Sequence, residues 1–186
     1  MPADSARRAP GRTGEPTFLI VDQAQQMLTP SLITAAGLDR SKTADPPPPV
    51  LWEDGDRRLL VHLESAKLAF DHGVVDVSID VECDQTQRQS VTCTFVTSSP
   101  ERPAGFIWAT ESRPRGPAII VEQWGDALIA LCWRALVDLA RLAAAGQGVD
   151  TFDQPLIAST VVASPDGFMV VPLAAHRFMR LGSATR

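Results

Sequence analysis

Three histidines, three cysteines and a row of carboxylates carry the reactive chemistry available to this sequence of 186 residues. His62-Leu63-Glu64 has the His-x-Glu spacing in which, at hydrolytic zinc sites, the imidazole binds metal and the carboxylate moves protons. The Pro-Cys-x-x-Cys half that would complete such a site is missing. Both residues fall on the polar side of an alternating apolar pattern, which reads as two solvated side chains of a strand. Asp71-His72, with Glu64 and Asp76 near in sequence, is the second place where an acid stands beside a histidine, an arrangement that raises an imidazole pKa for acid/base work. Asp-His-Gly between two strand patterns also suits a tight turn, because Asp bonds its own backbone and Gly takes positive φ. His62, Glu64, Asp71 and His72 are the candidate catalytic residues, and the turn and the solvated face compete with that role.

The carboxylates Asp76, Asp80, Glu82 and Asp84 recur every second residue or so, about 6.8 Å apart along a strand. One such row lacks the six to eight oxygens that calcium takes, so it reads as a solvated face that keeps the sheet from pairing with other chains. Cys83, Cys93 and Cys132 show no CxxC or Cys/His metal spacing, and reduced thiols in a cytoplasmic protein are the expectation. Cys83 and Cys93 flank a hairpin loop on one strand face, which leaves a cross-strand disulfide as the geometric exception. The dinucleotide, phosphate-loop, zinc-protease, hydrolase-elbow and EF-hand patterns are all missing, so neither a cofactor nor a metal is expected.

Composition narrows the class. A net charge of −5 argues against a nucleic-acid binder, which needs a basic face to displace phosphate counterions. Lys42 and Lys67 are the only lysines, and the arginine, alanine and proline bias matches a G- and C-rich, bacterial-like genome. The longest apolar stretch, 117–145, is interrupted by Glu122, Asp126, Arg134, Asp138 and Arg141, which excludes a membrane span. After Arg7 and Arg8 the only apolar run is Phe18 to Val21, too short for a signal-peptide core.

Those side chains must be positioned by elements that the spacing predicts. Residues 1–16 read as a disordered tail, 17–180 as a single α+β domain, and 181–186 as a short tail. Asp22 with Gln25, and then Thr29-Pro30, predict two short N-terminal helices closed by Gly37. Pro46 to Pro49 form a polyproline spacer. From Val50 the period is two. Leu59, Val61 and Leu63 alternate with polar residues, then the phase slips to Ala66, Leu68 and Phe70, which predicts a bulge near Ser65. Val75 to Cys83, Val91 to Phe95 and Phe106 to Thr110 follow as strands, and Leu156–Ala163 with Phe168–Leu173 form a hairpin around Ser164-Pro165-Asp166-Gly167. Strands in runs predict one antiparallel sheet of about five to seven strands, with a long helix over 117–145 on one face.

That helix is more apolar than one face requires. Val121, Trp124, Leu128, Leu131, Cys132, Ala135, Leu139 and Leu142 make the main stripe, and Ile129, Ala130, Trp133 and Val137 lie opposite. A cover for the second face comes either from the chain itself or from a second copy, with Ile129, Trp133 and Val137 at the interface. Two functions remain open. One is a non-catalytic interaction module, chaperone-like or scaffolding, acting as a homodimer with a protein partner. The other is a small-molecule pocket protein or enzyme with a cavity between sheet and helix, lined by Phe95, Phe106, Trp108 and Trp124, with His62 or His72 as its polar group.

Overall fold

Alternation at a period of two runs from Leu59 to Val96, and there the chain folds into long antiparallel strands with one apolar face. The computed structural model describes residues 15–99, 102–109, 113–146 and 156–174. β2 (Val50–Asp54), β3 (Arg57–Asp71), β4 (Val74–Cys83), β5 (Thr86–Ser99) and β6 (Arg102–Ala109) form a five-stranded sheet in chain order. Leu59, Val61 and Leu63, with Val75, Val77, Ile79 and Val81 and with Val91, Cys93 and Phe95, are fully buried on its inner face.

The expected bulge lies where the phase slips. Register between β3 and β4 shifts between His62 and Lys67. Five steps along β3 there face two along β4, and the Ser65 hydroxyl donates to the His62 carbonyl (2.7 Å) and accepts from the Asp80 amide (2.8 Å), so that amide is not orphaned. Beyond it Ala66 and Leu68 take over the inner face.

α1 (Val21–Ala35) packs on β3, and α2 (Ala118–Ala145) packs beside α1 and against β5 and β6. The two short N-terminal helices are in fact one helix of 15 residues. Pro30 sits inside it without breaking it, because Leu28, Leu32 and Ile33 on either side are buried in the core. Gln23, not Asp22 with Gln25, caps the start, its Oε1 accepting from the Ile20 amide at 3.3 Å. Gln25 is used elsewhere: it donates to the Ala66 carbonyl and accepts from the Leu68 amide, both at 2.8 Å, tying α1 to β3 just past the bulge. Gly37 ends the helix with φ +77°, as expected. α2 starts at Ala118, so Ile119 to Val121 are helical. Gly125 inside it admits Pro114, whose Cδ would stand 3.3 Å from a Cβ there.

The strands do not share one sheet. β1 (Thr17–Ile20), β8 (Gly167–Ala174) and β7 (Leu156–Ser164) form a separate three-stranded antiparallel sheet in the order β1-β8-β7. Runs such as Val161-Val162-Ala163 and Phe168-Met169-Val170-Val171 lack the polar alternation of β4. Strands of that kind want cover on both faces. Val161, Ala163, Phe168 and Val170 are buried, and β7 crosses the end of the larger sheet. It is fastened there by Gly73 N to Ala163 O (2.9 Å) and Ala163 N to Thr97 Oγ1 (2.9 Å). Phe18 and Ile20 stay 46% and 50% exposed on the outer side.

Cys83 faces Thr86 across the β4–β5 hairpin, whereas Cys93 faces Val77, six positions up β4 and so about 20 Å away. A disulfide between them is out of reach, and all three cysteines are free thiols. Cys93 instead meets Cys132 of α2 in the core. Hydrogen bonding with Cys93, then burial, push the Cys132 thiol well up from its ordinary range, so its reactive thiolate is suppressed. A thiol reagent such as Ellman's at pH 8 is expected to titrate Cys83 alone in the native protein and all three cysteines in denaturant. Rapid native modification of Cys93 or Cys132 would contradict this packing.

Gly167, at φ +152°, lets β1 lie against the hairpin, since a Cβ there would stand 2.2 Å from the Leu19 carbonyl oxygen. Gly167→Ala is expected to cost about 2–4 kcal/mol in urea unfolding, against about 1–2 kcal/mol for Gly55→Ala, where φ is +60° but the space is open. Equal losses in the two variants would contradict the close approach.

Candidate functional site

The bulge gathers the first candidate group. His62 is not solvated but only 8% exposed, because Glu64 beside it and Glu82 from β4 close over the ring. Its Nδ1 lies 3.3 Å from Glu64 Oε1, and its Nε2 lies 3.8 Å from Glu82 Oε2, beyond hydrogen-bond range. Arg88 spans the group, with Nε donating to Asp80 (2.9 Å) and Nη2 at 3.4 Å from Glu64. A carboxylate on Nδ1 and a free Nε2 is the arrangement of a general base. Here Nε2 is buried and without a hydrogen bond among the described residues, and the nearby Ser65 hydroxyl is spent on the backbone of the bulge.

Asp71 and His72 are not brought to this group. They form the β3–β4 turn, with Asp71 Oδ1 accepting from the His72 amide at 2.7 Å and Gly73 at φ +72°. Two of the four acids in the row are paired, and Asp84 is exposed. Asp76 takes Thr94 and Arg115, Asp80 takes Arg88, and Ser78 bonds Thr92 between them at 2.8 Å. Among the described residues no group of three or more His, Cys, Asp or Glu side chains could hold a metal.

The residues of the sheet–helix cavity reading are also placed. Phe95 is fully buried in the core, and Trp124, 8% exposed, stacks at a tilt on Trp52 with ring centroids 6.2 Å apart. The side chains of Phe106 and Trp108 lie outside the described residues; their backbone belongs to β6. His62 stands on the opposite face of the sheet from Phe95, and His72 is in a turn, so neither histidine joins Phe95 and Trp124.

A concave feature lies on the outward side of α2. A half-open groove of about 590 Å³ runs between the end of α1 and α2, floored and walled by Ala35, Ala36, Trp52, Leu131, Trp133 and Val137. Arg134, Asp138 and Arg141, all on one line of α2, edge it. Trp133 is 39% exposed and its indole Nε1 donates to the Ile107 carbonyl of β6 at 2.9 Å. Of the three expected interface residues, Val137 is buried and Ile129 packs partly against the core, so Trp133 alone offers a large free surface. α1 packs beside α2, and on the second apolar face of α2 Trp133 is tied to β6. The groove's other wall escaped the sequence reading, because only α1's unbroken course past Pro30 brings Ala35 and Ala36 opposite Trp133.

A second hollow of about 570 Å³ lies at the β4–β5 hairpin, where Leu51 and Leu60 meet Arg58, Glu82 and Cys83. It is about as open as the first, and both are lined by apolar and charged side chains. No described helix is long and apolar enough to cross a membrane. Compared with protein families, with curated proteins and with solved structures, the chain finds no match in any of the three.

Proposed function

We propose that this chain is a non-catalytic protein-interaction module, chaperone-like or scaffolding in role and acting in the cytoplasm, that holds a polypeptide segment in the groove between α1 and α2. The observation that carries this reading is Trp133, a large exposed ring beside a preformed hollow lined by apolar and charged side chains. Its indole N–H is already satisfied inside the chain, so the ring is held ready and little ordering entropy is lost when a partner covers it. Trp is favoured at such positions because it covers much area at low entropic cost. The small side chains Ala35, Ala36 and Ala127 leave room for an inserted group. Burial of Phe95, Leu128 and Cys132 between sheet and helix speaks against the cavity that an enzyme reading would use.

A homodimer over the same helix is the second form of this reading. It is favoured by the apolar groups that α2 leaves outside, with Ile119, Trp133 and Leu142 all more than a third exposed.

Light scattering of the parent, Trp133→Asp and Ala127→Glu separates the two forms. Ala127 is exposed at the groove, so its glutamate variant is expected to fold with less than about 0.5 kcal/mol of loss. A parent dimer that both variants dissociate supports the dimer over this surface, and a parent dimer that survives both puts its interface elsewhere. For the groove itself, a permanently unfolded probe chain such as reduced, carboxymethylated α-lactalbumin is expected to bind the parent and to lose about ten-fold in affinity with Ala127→Glu. Equal binding by parent and variant would overturn the groove as the site.

A further inference from the structure

The small sheet is apolar on both faces, and only one of them meets the core. Leu19, Val161, Ala163, Phe168 and Val170 point inward. On the outer face Phe18 lies opposite Met169 and Met169 opposite Val162, so an apolar row crosses all three strands. Val171 follows beside Thr160, and Ile20 lies opposite Gly167. Phe18 and Ile20 are about half exposed, and β1, β7 and β8 carry no charged residue between them. Charge stands only at the end of the face where Ile20 pairs with Gly167. There Asp22 and Asp166 are both exposed, and neither makes an ion pair among the described residues.

Strands without polar alternation want cover on both sides. A second copy covers this face poorly. With strands about 4.8 Å apart and about 3.3 Å per residue the face measures about 330 Å², so two copies joined over it alone bury about 660 Å², against about 1,200 Å² for a stable pair. The chain itself supplies a better fit. Residues 1–14, 147–155 and 175–186 adjoin these three strands and lie outside the described residues. The first stretch has no large apolar residue after Met1, and the second brings Asp150 and Asp153. Residues 175–186 hold Phe178, Met179 and Leu181 among Arg177, Arg180 and Arg186, with no acid. We propose that residues 175–186 fold back over the outer face of the small sheet, their apolar side chains covering Phe18, Val162 and Met169 and their arginines facing Asp22 and Asp166. The reach suffices. β8 ends at Ala174, and Gly167, beside Asp166, lies about 23 Å back along the strand, whereas a segment of this length spans up to about 40 Å when extended. Guanidinium groups then meet carboxylates that nothing else in the described chain takes. This inference is independent of the groove beside α2.

Trypsin cleavage after Arg177 and Arg180, followed by intact-mass spectrometry of the full chain, tests the cover. Each protein is compared with a synthetic peptide of its own residues 171–186. The parent is expected to be cut at these two sites at least about ten-fold more slowly than its peptide. Phe18→Asp with Ile20→Asp, at exposed positions of β1, is expected to bring cleavage up to about the peptide rate. Phe178→Ser with Leu181→Ser, which leaves the strands untouched, is expected to do the same with an unchanged circular dichroism spectrum. Asp22→Asn with Asp166→Asn is expected to speed cleavage about three-fold, as is raising the salt to about 500 mM. A parent cut as fast as its peptide overturns the proposal, and so does protection that survives in both apolar double variants. Equal protection with the asparagine pair overturns the pairing of arginines with Asp22 and Asp166. If light scattering shows a dimer and protection is lost on dilution to the monomer, a second copy is the cover and the inference fails.

Discussion

The bulge at Ser65 is the constraint on which the other packing depends. β3 is 15 residues long, too long for one uninterrupted phase to serve both halves of the molecule. Before the bulge it buries Leu59, Val61 and Leu63; after it, with the phase slipped, it buries Ala66 and Leu68 and carries Phe70 to within 6.0 Å of Phe168 in the second sheet. Without the slip, Lys67 and Ala69 would face inward, and a buried lysine without a partner is among the most costly errors a core can hold. β2 pairs with β3 only as far as Val61, so past the bulge the Ala66 carbonyl and the Leu68 amide lie on an open edge, and Gln25 of α1 takes both. The position of α1 in turn builds the groove.

The polar group over the bulge has a structural explanation. His62, Glu64, Asp80, Glu82 and Arg88 come from three strands and meet on the outer face of the sheet. Arg88, paired with Asp80 and lying near Glu64, links β5 and β4 to β3 where the ladder between β3 and β4 is interrupted. Its ion pairs are partly exposed and each is worth little alone. Their use is in holding geometry, since the Ser65 hydroxyl must stay between the His62 carbonyl and the Asp80 amide for the bulge to persist. Asp76 with Thr94 and Arg115 repeats the arrangement further along the sheet, where Arg115 also bridges the backbone of β5 at Thr92.

What was legible in the sequence is what depends on near neighbours. Alternation over β4, the slip at Ser65, the Asp-His-Gly turn and the apolar stripe of α2 each follow from residues a few positions apart, and each is present. The division into two sheets was not legible, because it depends on hydrogen bonds such as Ala163 to Thr97, 66 positions apart. Nor was the burial of His62, which needs Glu82 to close over it from another strand. Asp22 and Thr29 looked like helix caps on local grounds and were overridden by burial of Ala24, Leu28 and Leu32 along one continuous helix. In the candidate groove, Trp133 was legible as excess apolar surface on α2. Trp52, Ala35 and Ala36 were not, since β2 and α1 meet α2 only in the folded chain.

The two apolar faces of α2 are thus unequal in kind. The stripe through Trp124, Leu128, Leu131, Cys132 and Leu139 is filled by the sheet, and the buried thiols of Cys93 and Cys132 show how little space separates the layers. On the opposite side Trp133 stays exposed, and α1, 15 residues long, is much shorter than α2 with its 28. A helix held rigid by one filled face can present the other without ordering itself anew, and the bond from Trp133 to Ile107 fixes even the exposed ring. Arg134 and Arg141 on α2 have no acid partner among the described residues, while the carboxylates Asp76 and Asp80 on the far side of the sheet each have an arginine.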